Sequence, residues 1–140
     1  MAEISQATRY ASMVMGAIFL LSGTVKLINI NNDVYTFMSA EFKKFASVFP
    51  FRPMGIKPSP SVFKTAVGIA EVIPALILIF GSTRLKKYAI FVLIIIMVGA
   101  MQTLFCLKEF TQVLVPFSHL LILIWILFSY NHDLKGTKQD

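Results

Sequence analysis

Four apolar runs, residues 10–28, 61–81, 88–107 and 110–130, constrain this chain more than anything else in it. About 20 helical residues are needed to cross the ~30 Å hydrocarbon core of a bilayer, and each run has that length. In hydrocarbon a backbone N–H or C=O must be satisfied within its own segment, which for runs of this kind means a helix. The predicted fold is an all-α membrane protein, an antiparallel four-helix transmembrane bundle, with residues 1–140 forming a single transmembrane domain. Composition enters as a check. With 56% hydrophobic residues, 14% charged residues and a mean hydropathy of +0.74, the chain has too few charges to cover the surface of a soluble domain of its size. A water-soluble enzyme, a disordered chain and a free nucleic-acid binder are excluded. The first run resembles a signal peptide only superficially, since its apolar part is too long and no small-residue cleavage pattern follows Lys26.

The longest connection lies between the first two runs. Asn31, Asn32 and Asp33 supply N-cap chemistry, and Val34, Phe37, Met38, Phe42, Phe45 and Phe49 then recur at helical spacing opposite Glu41, Lys43 and Lys44. The spacing predicts an amphipathic helix over 33–49, either lying in the membrane interface or packing over the end of the bundle. Pro50, Pro53, Pro58 and Pro60 end it and predict an extended segment after it. Short turns at Arg84–Lys87 and around Lys108 and Glu109 make successive spans antiparallel neighbours, and residues 131–140 read as a short polar tail. Trp125 and Tyr130 sit where aromatic anchors are expected.

The formal charge of +6 marks membrane edges rather than nucleic-acid contacts. Four spans return the C-terminus to the side of the N-terminus. The basic residues Arg9, Arg84, Lys86, Lys87, Lys135 and Lys138 on one side are balanced by Lys43, Lys44, Arg52, Lys57, Lys64 and Lys108 on the other. The short-loop cluster at Arg84–Lys87 favours both termini facing the cytoplasm.

One strongly polar residue stands in or near each span: Lys26, Glu71, Gln102 and His119. At a rise of ~1.5 Å per residue, Glu71 lies roughly 15 Å deep, and all four fall in the half of the bilayer next to the long first connection. A carboxyl group at that depth must be protonated or paired with a cation, and Lys26 and His119 are the ionisable candidates. Such a network either holds the helices in register or serves as a proton relay or ligand site. Gly16, Gly23, Gly68 and Gly99 are candidates for close helix packing. The lone Cys106, two histidines and one intramembrane carboxylate assemble no standard metal site or nucleophilic set, so neither metal nor cofactor is expected and no enzyme is predicted.

Several of these residues carry a family resemblance. The segments Gly23-Thr24-Val25-Lys26-Leu27 and Ala66-Val67-Gly68-Ile69-Ala70-Glu71-Val72 resemble motifs of the DoxX-like membrane proteins. Glu41-Phe42-Lys43-Lys44-Phe45, Met54-Gly55-Ile56 and Phe117-Ser118-His119 are similar to the nicotinic acetylcholine receptor chaperone group of that superfamily. Val48-Phe49-Pro50, Lys57-Pro58-Ser59-Pro60 and Leu107-Lys108-Glu109 look more like the group's shorter branch. The resemblance covers residues 16–130. It implies a multi-pass protein of the endoplasmic reticulum membrane that assists assembly of pentameric ligand-gated channels. Its partners would be membrane lipid, transmembrane receptor subunits as clients, and in some settings a second copy of itself. Bacterial DoxX-like relatives linked to quinone chemistry supply the alternative, a membrane subunit that contacts quinone or supports a redox reaction.

Overall fold

The structure is a computed structural model and describes residues 5–138. Five helices are found among them: α1 (Gln6–Leu27), α2 (Asn32–Ser47), α3 (Pro60–Phe80), α4 (Thr83–Cys106) and α5 (Leu114–Lys138), with 3-10 turns at Arg52–Met54 and Phe110–Val113. Four segments are long and apolar enough to cross a membrane: Gln6–Leu27, Pro60–Phe80, Thr83–Cys106 and Phe110–His132. The chain is a multi-pass membrane protein.

Capping explains why the helices outrun the apolar patches. Ser5 accepts from the Thr8 backbone N–H, so α1 begins before Tyr10. Ser82 does the same for Leu85, which places Arg84, Lys86 and Lys87 inside α4 rather than in a turn. Arginine and lysine are good helix formers, and hydropathy alone starts the span too late. At the last span the reverse holds. Phe110–Val113 forms a 3-10 turn, and Pro116 is accommodated in the first turn of α5. Helix α5 then continues to Lys138, so the stretch read as a polar tail is helical backbone as far as that residue, while residues 139–140 lie outside the described part. The proline-rich connection is not extended throughout: Arg52–Met54 makes a 3-10 turn and Gly55 adopts φ +89°, a left-handed conformation that glycine tolerates without a Cβ penalty.

The four long helices pack as a ring in the order α1, α3, α4, α5, each antiparallel to its neighbours. The closest approach is between α1 and α3. Gly16 faces Ala75 and Gly23 faces Gly68, one heptad apart on each helix and running in opposite directions. A Cβ on Gly23 would lie 2.6 Å from Val72 Cγ2 and 2.8 Å from the Gly68 carbonyl oxygen, so the backbones touch only because both side chains are absent. Gly99 differs. A Cβ there would meet nothing within 4 Å, so it does not act as a close-packing residue.

The bundle is filled unevenly along its axis. Towards the termini, Met15, Leu78, Ile90, Leu93, Leu123, Ile126 and Tyr130 form a closed core. Tyr130 belongs to it rather than to a membrane-edge belt: its ring is buried and its hydroxyl shares a 2.9 Å hydrogen bond with Ser12 Oγ, joining α5 to α1. Towards the opposite end the helices part, and α2 lies across the opening. Substituting Gly23 with Ala is expected to cost about 1–3 kcal/mol through overpacking against backbone. Gly99→Ala is expected to be neutral or to gain up to about 1 kcal/mol from helix propensity. Thermal unfolding of the two variants in detergent, followed by size exclusion, checks the contrast.

Candidate functional site

Helix α2 is held over the bundle by aromatic and ionic contacts. Its Phe42 and Ala46 are buried, and Phe42 meets Phe63 of α3 edge to face at 5.5 Å, as it meets Phe45 at 5.1 Å. Phe49 stacks similarly on Phe63 at 5.6 Å. These T-shaped pairs are the geometry that the ring quadrupoles favour. The predicted amphipathic helix thus exists and packs against α3. Phe37, by contrast, is 58% exposed. Lys64, a flanking charge by its sequence position, is buried beneath α2, its Nζ 3.7 Å from the Tyr35 ring centroid and 3.1 Å from Ser39 Oγ. Lys44 links α2 to the α4–α5 connection, donating to Glu109 Oε1 at 2.7 Å and lying 3.0 Å from Glu41 Oε1. The Glu109 hydrogen bond, followed by that from Glu41, raises the Lys44 ammonium above its ordinary range. A raised lysine contributes its full stabilisation below the unfolded-state value, so this tether holds through neutral pH and is lost only as pH climbs past the ordinary lysine range.

Beneath α2 lies a cavity of about 710 Å³ walled by all five helices. Phe37, Met38, Phe42 and Phe45 of α2 line one side with Phe49 just beyond its end, together with Phe19 of α1 and Phe63 of α3. Gly99 leaves room on the α4 wall, which explains why nothing meets a Cβ there. Ile18, Ile95 and Val115, which are 39%, 61% and 60% exposed, form an apolar side of its opening, and exposed Gln102 and Gln112 line it as well.

Lys26, Glu71, Gln102 and His119 all reach this cavity. Only two of them bond to one another. Lys26 Nζ donates to Glu71 Oε1 at 2.7 Å, and to Ser22 Oγ and its carbonyl at 2.7 and 3.2 Å. Both partners are buried, with side chains 10% and 4% exposed. The enclosed Glu71 Oε2 finds no hydrogen-bond partner among the described residues, as is also true of Glu109 Oε2 outside the spans. Among the described residues Gln102 and His119 make no direct bond to the pair, and Gln102 is exposed. His119 Nδ1 lies 2.6 Å from the Val115 carbonyl, which can only accept, so the proton sits on Nδ1 and Nε2 is an acceptor in the neutral ring. Phe19 packs edge to face on that ring at 5.7 Å. A four-member hydrogen-bonded network therefore gives way to an ion pair from α1 and α3, with two separate polar groups facing the same cavity from α4 and α5. Among the described residues no three His, Cys, Asp or Glu side chains come together as a metal set, and Cys106 is exposed.

Sequence reasoning passed over Phe19, Ser22 and Phe63. Ser22 precedes Lys26 by one helical turn, a spacing that places its hydroxyl within the lysine's reach. Phe63 sits one residue before Lys64, at the N-terminal end of α3 under α2.

A multi-pass helical bundle with a buried Lys–Glu pair between its first and second spans is the class these features define. The model of the DoxX-like family matches residues 10–127, and the chain belongs to that family.

Removing one member of a buried pair strands the other, at a cost of about 3–5 kcal/mol. Glu71→Ala is therefore expected to deplete folded protein strongly, and Glu71→Gln much less, because an amide oxygen still accepts from Lys26. The double variant Lys26→Met/Glu71→Leu, which leaves no charge behind, should recover most of the loss. Monodisperse yield after solubilisation measures all three.

Proposed function

We propose that this protein is a non-catalytic chaperone of the endoplasmic reticulum membrane that assists folding and assembly of pentameric ligand-gated channels, nicotinic acetylcholine receptors among them. One observation supports the reading most: residues from both sets of resembling motifs meet at one cavity. Lys26 and Glu71 of the DoxX-like motifs, and Phe42, Phe45 and His119 of the chaperone-group motifs, lie on four different helices, yet all line it. An unassembled channel subunit exposes helix faces meant for its neighbours, some with polar groups that are costly in lipid. A side-open cavity with an aromatic roof and a polar floor offers such a face a temporary partner. Binding must stay weaker than the final subunit interface, so that true neighbours displace the chaperone. In this reading both termini face the cytoplasm, and the α2 side meets the client near the opposite membrane surface.

A membrane subunit that contacts quinone is the second reading. The observation in its favour is the cavity's volume of about 710 Å³, which lies within the ordinary range for small-molecule sites. Absorbance of the purified protein separates the two, since a stoichiometric bound quinone favours the second.

Co-expression with nicotinic receptor subunits is expected to raise surface ligand binding several-fold over subunits alone, and Phe37→Ala, at an exposed residue of the cavity lining, should reduce the gain while leaving the chaperone well expressed. No gain with any member of that receptor class would refute the client assignment.

A further inference from the structure

We propose that the cavity under α2 is a binding site for a neutral lipid alcohol drawn from the bilayer, whose hydroxyl donates a hydrogen bond to Glu71. Ligand binding of this kind does not depend on receptor subunits being clients.

Charge comes first. Lys26 and Glu71 neutralise one another at 2.7 Å on the cavity wall. A second ion brought beside that pair would have to lose its hydration with no counter-charge left to meet it. A neutral occupant avoids that cost. Donor count comes next. Buried carboxylate oxygens are nearly always hydrogen-bonded, yet among the described residues Glu71 Oε2 has no partner while its twin is held by Lys26. The deficit is one of donors, because a carboxylate only accepts. The final torsion of a glutamate side chain is broad and roughly two-fold, so a modest rotation turns Oε2 towards the cavity while Lys26 keeps its hold on the other oxygen. His119 Nε2, an acceptor in the neutral ring, adds to the same imbalance on the opposite wall.

Shape and surroundings select the rest of the molecule. The remaining walls are largely aromatic and aliphatic, with Phe19, Phe42, Phe63 and Met97 among them. The opening carries exposed Ile18, Ile95 and Val115 beside exposed Gln102 and Gln112, and its apolar side at mid-span faces hydrocarbon. A molecule arriving from lipid is already dissolved on that side, and little is gained by burying its tail. Discrimination therefore comes from the one hydroxyl, which meets in the cavity an enclosed carboxylate, a stronger acceptor than a neutral oxygen.

The test uses purified full-length protein in lipid nanodiscs and two photoreactive probes, a diazirine-bearing long-chain alcohol and its methyl ether. Their hydrocarbon bodies are the same, and only the alcohol donates. Cross-linking at cavity residues, mapped by mass spectrometry, is expected to favour the alcohol by at least about tenfold, as a hydrogen bond to a charged acceptor would give. In Glu71→Gln the amide oxygen remains with Lys26 and the NH₂ group faces the cavity. It donates equally to alcohol and ether, so the preference should fall close to one. Gly99→Leu, placed where a Cβ meets nothing, should obstruct the α4 side of the cavity and reduce labelling by both probes. Equal labelling of the wild-type cavity by alcohol and ether, the result if a water molecule alone satisfies Oε2, would overturn the proposal. So would a preference unchanged in Glu71→Gln, or cavity labelling undiminished in Gly99→Leu. Should Glu71→Gln fail to fold, the wild-type ratio and Gly99→Leu still decide.

Discussion

The contact on which the rest of this structure depends is the ion pair between Lys26 and Glu71, and it exists because α1 and α3 can approach so closely. Gly23 and Gly68 bring the two backbones together one turn from Lys26 and one turn from Glu71. A side chain at either glycine would push the helices apart and lengthen a 2.7 Å contact in surroundings where an unpaired charge is very costly. The pair adds little net stability over a hydrophobic alternative. What it fixes is register, because only one sliding position of α1 against α3 satisfies both charges and both glycines. Ser22 secures the lysine further by accepting from the same ammonium group.

From that fixed pair the bundle develops in two directions. Towards the chain termini the helices close on Met15, Leu78, Leu93 and Ile126, with Ser12 and Tyr130 hydrogen-bonded across the core. In the other direction the interior opens, and α2 with the residues just after it roofs it through Phe42 and Phe49 against Phe63, Tyr35 against Lys64, and Lys44 against Glu109. The two halves have different physical roles. A closed half gives the rigid platform, and an open half with polar groups at its base and an apolar side to its opening gives a place where something from the membrane can sit. The tether at Lys44 is partly exposed and electrostatic, so the roof is held less firmly than the aromatic contacts beneath it.

Much of this was legible in the sequence, and the failures have identifiable causes. Span number followed from hydropathy, since bilayer thickness imposes a length that few other constraints share. Depth and charge narrowed the ionisable partners of Glu71 to Lys26 and His119. They did not select between the two, nor say which of the four polar residues bond directly, because depth along a helix says nothing about its rotation. Gln102 and His119 lie at the right height yet face the cavity from α4 and α5 instead of touching the pair. Glycine spacing had the same weakness: Gly16, Gly23 and Gly68 lie on a contact face, whereas Gly99 faces open space. Lys64 looked like a membrane-edge charge, and only the position of α2 reveals that it is covered. Helix ends were missed where Ser5 and Ser82 extend helices into polar sequence, a local capping effect that an apolar window cannot register.

The central claim is that a salt-bridged Lys26–Glu71 pair persists inside the bundle when the protein is in a bilayer. Solid-state NMR dephasing between ¹⁵Nζ of lysine and ¹³Cδ of glutamate, with the Lys26→Met/Glu71→Leu double variant subtracted, measures that contact directly. The account predicts a strong difference signal from a nitrogen and a carboxylate carbon in hydrogen-bond contact, with the carbon at the chemical shift of an ionised carboxylate. A difference signal with no dephasing, or a Glu71 carbon at the shift of a protonated acid, would contradict it.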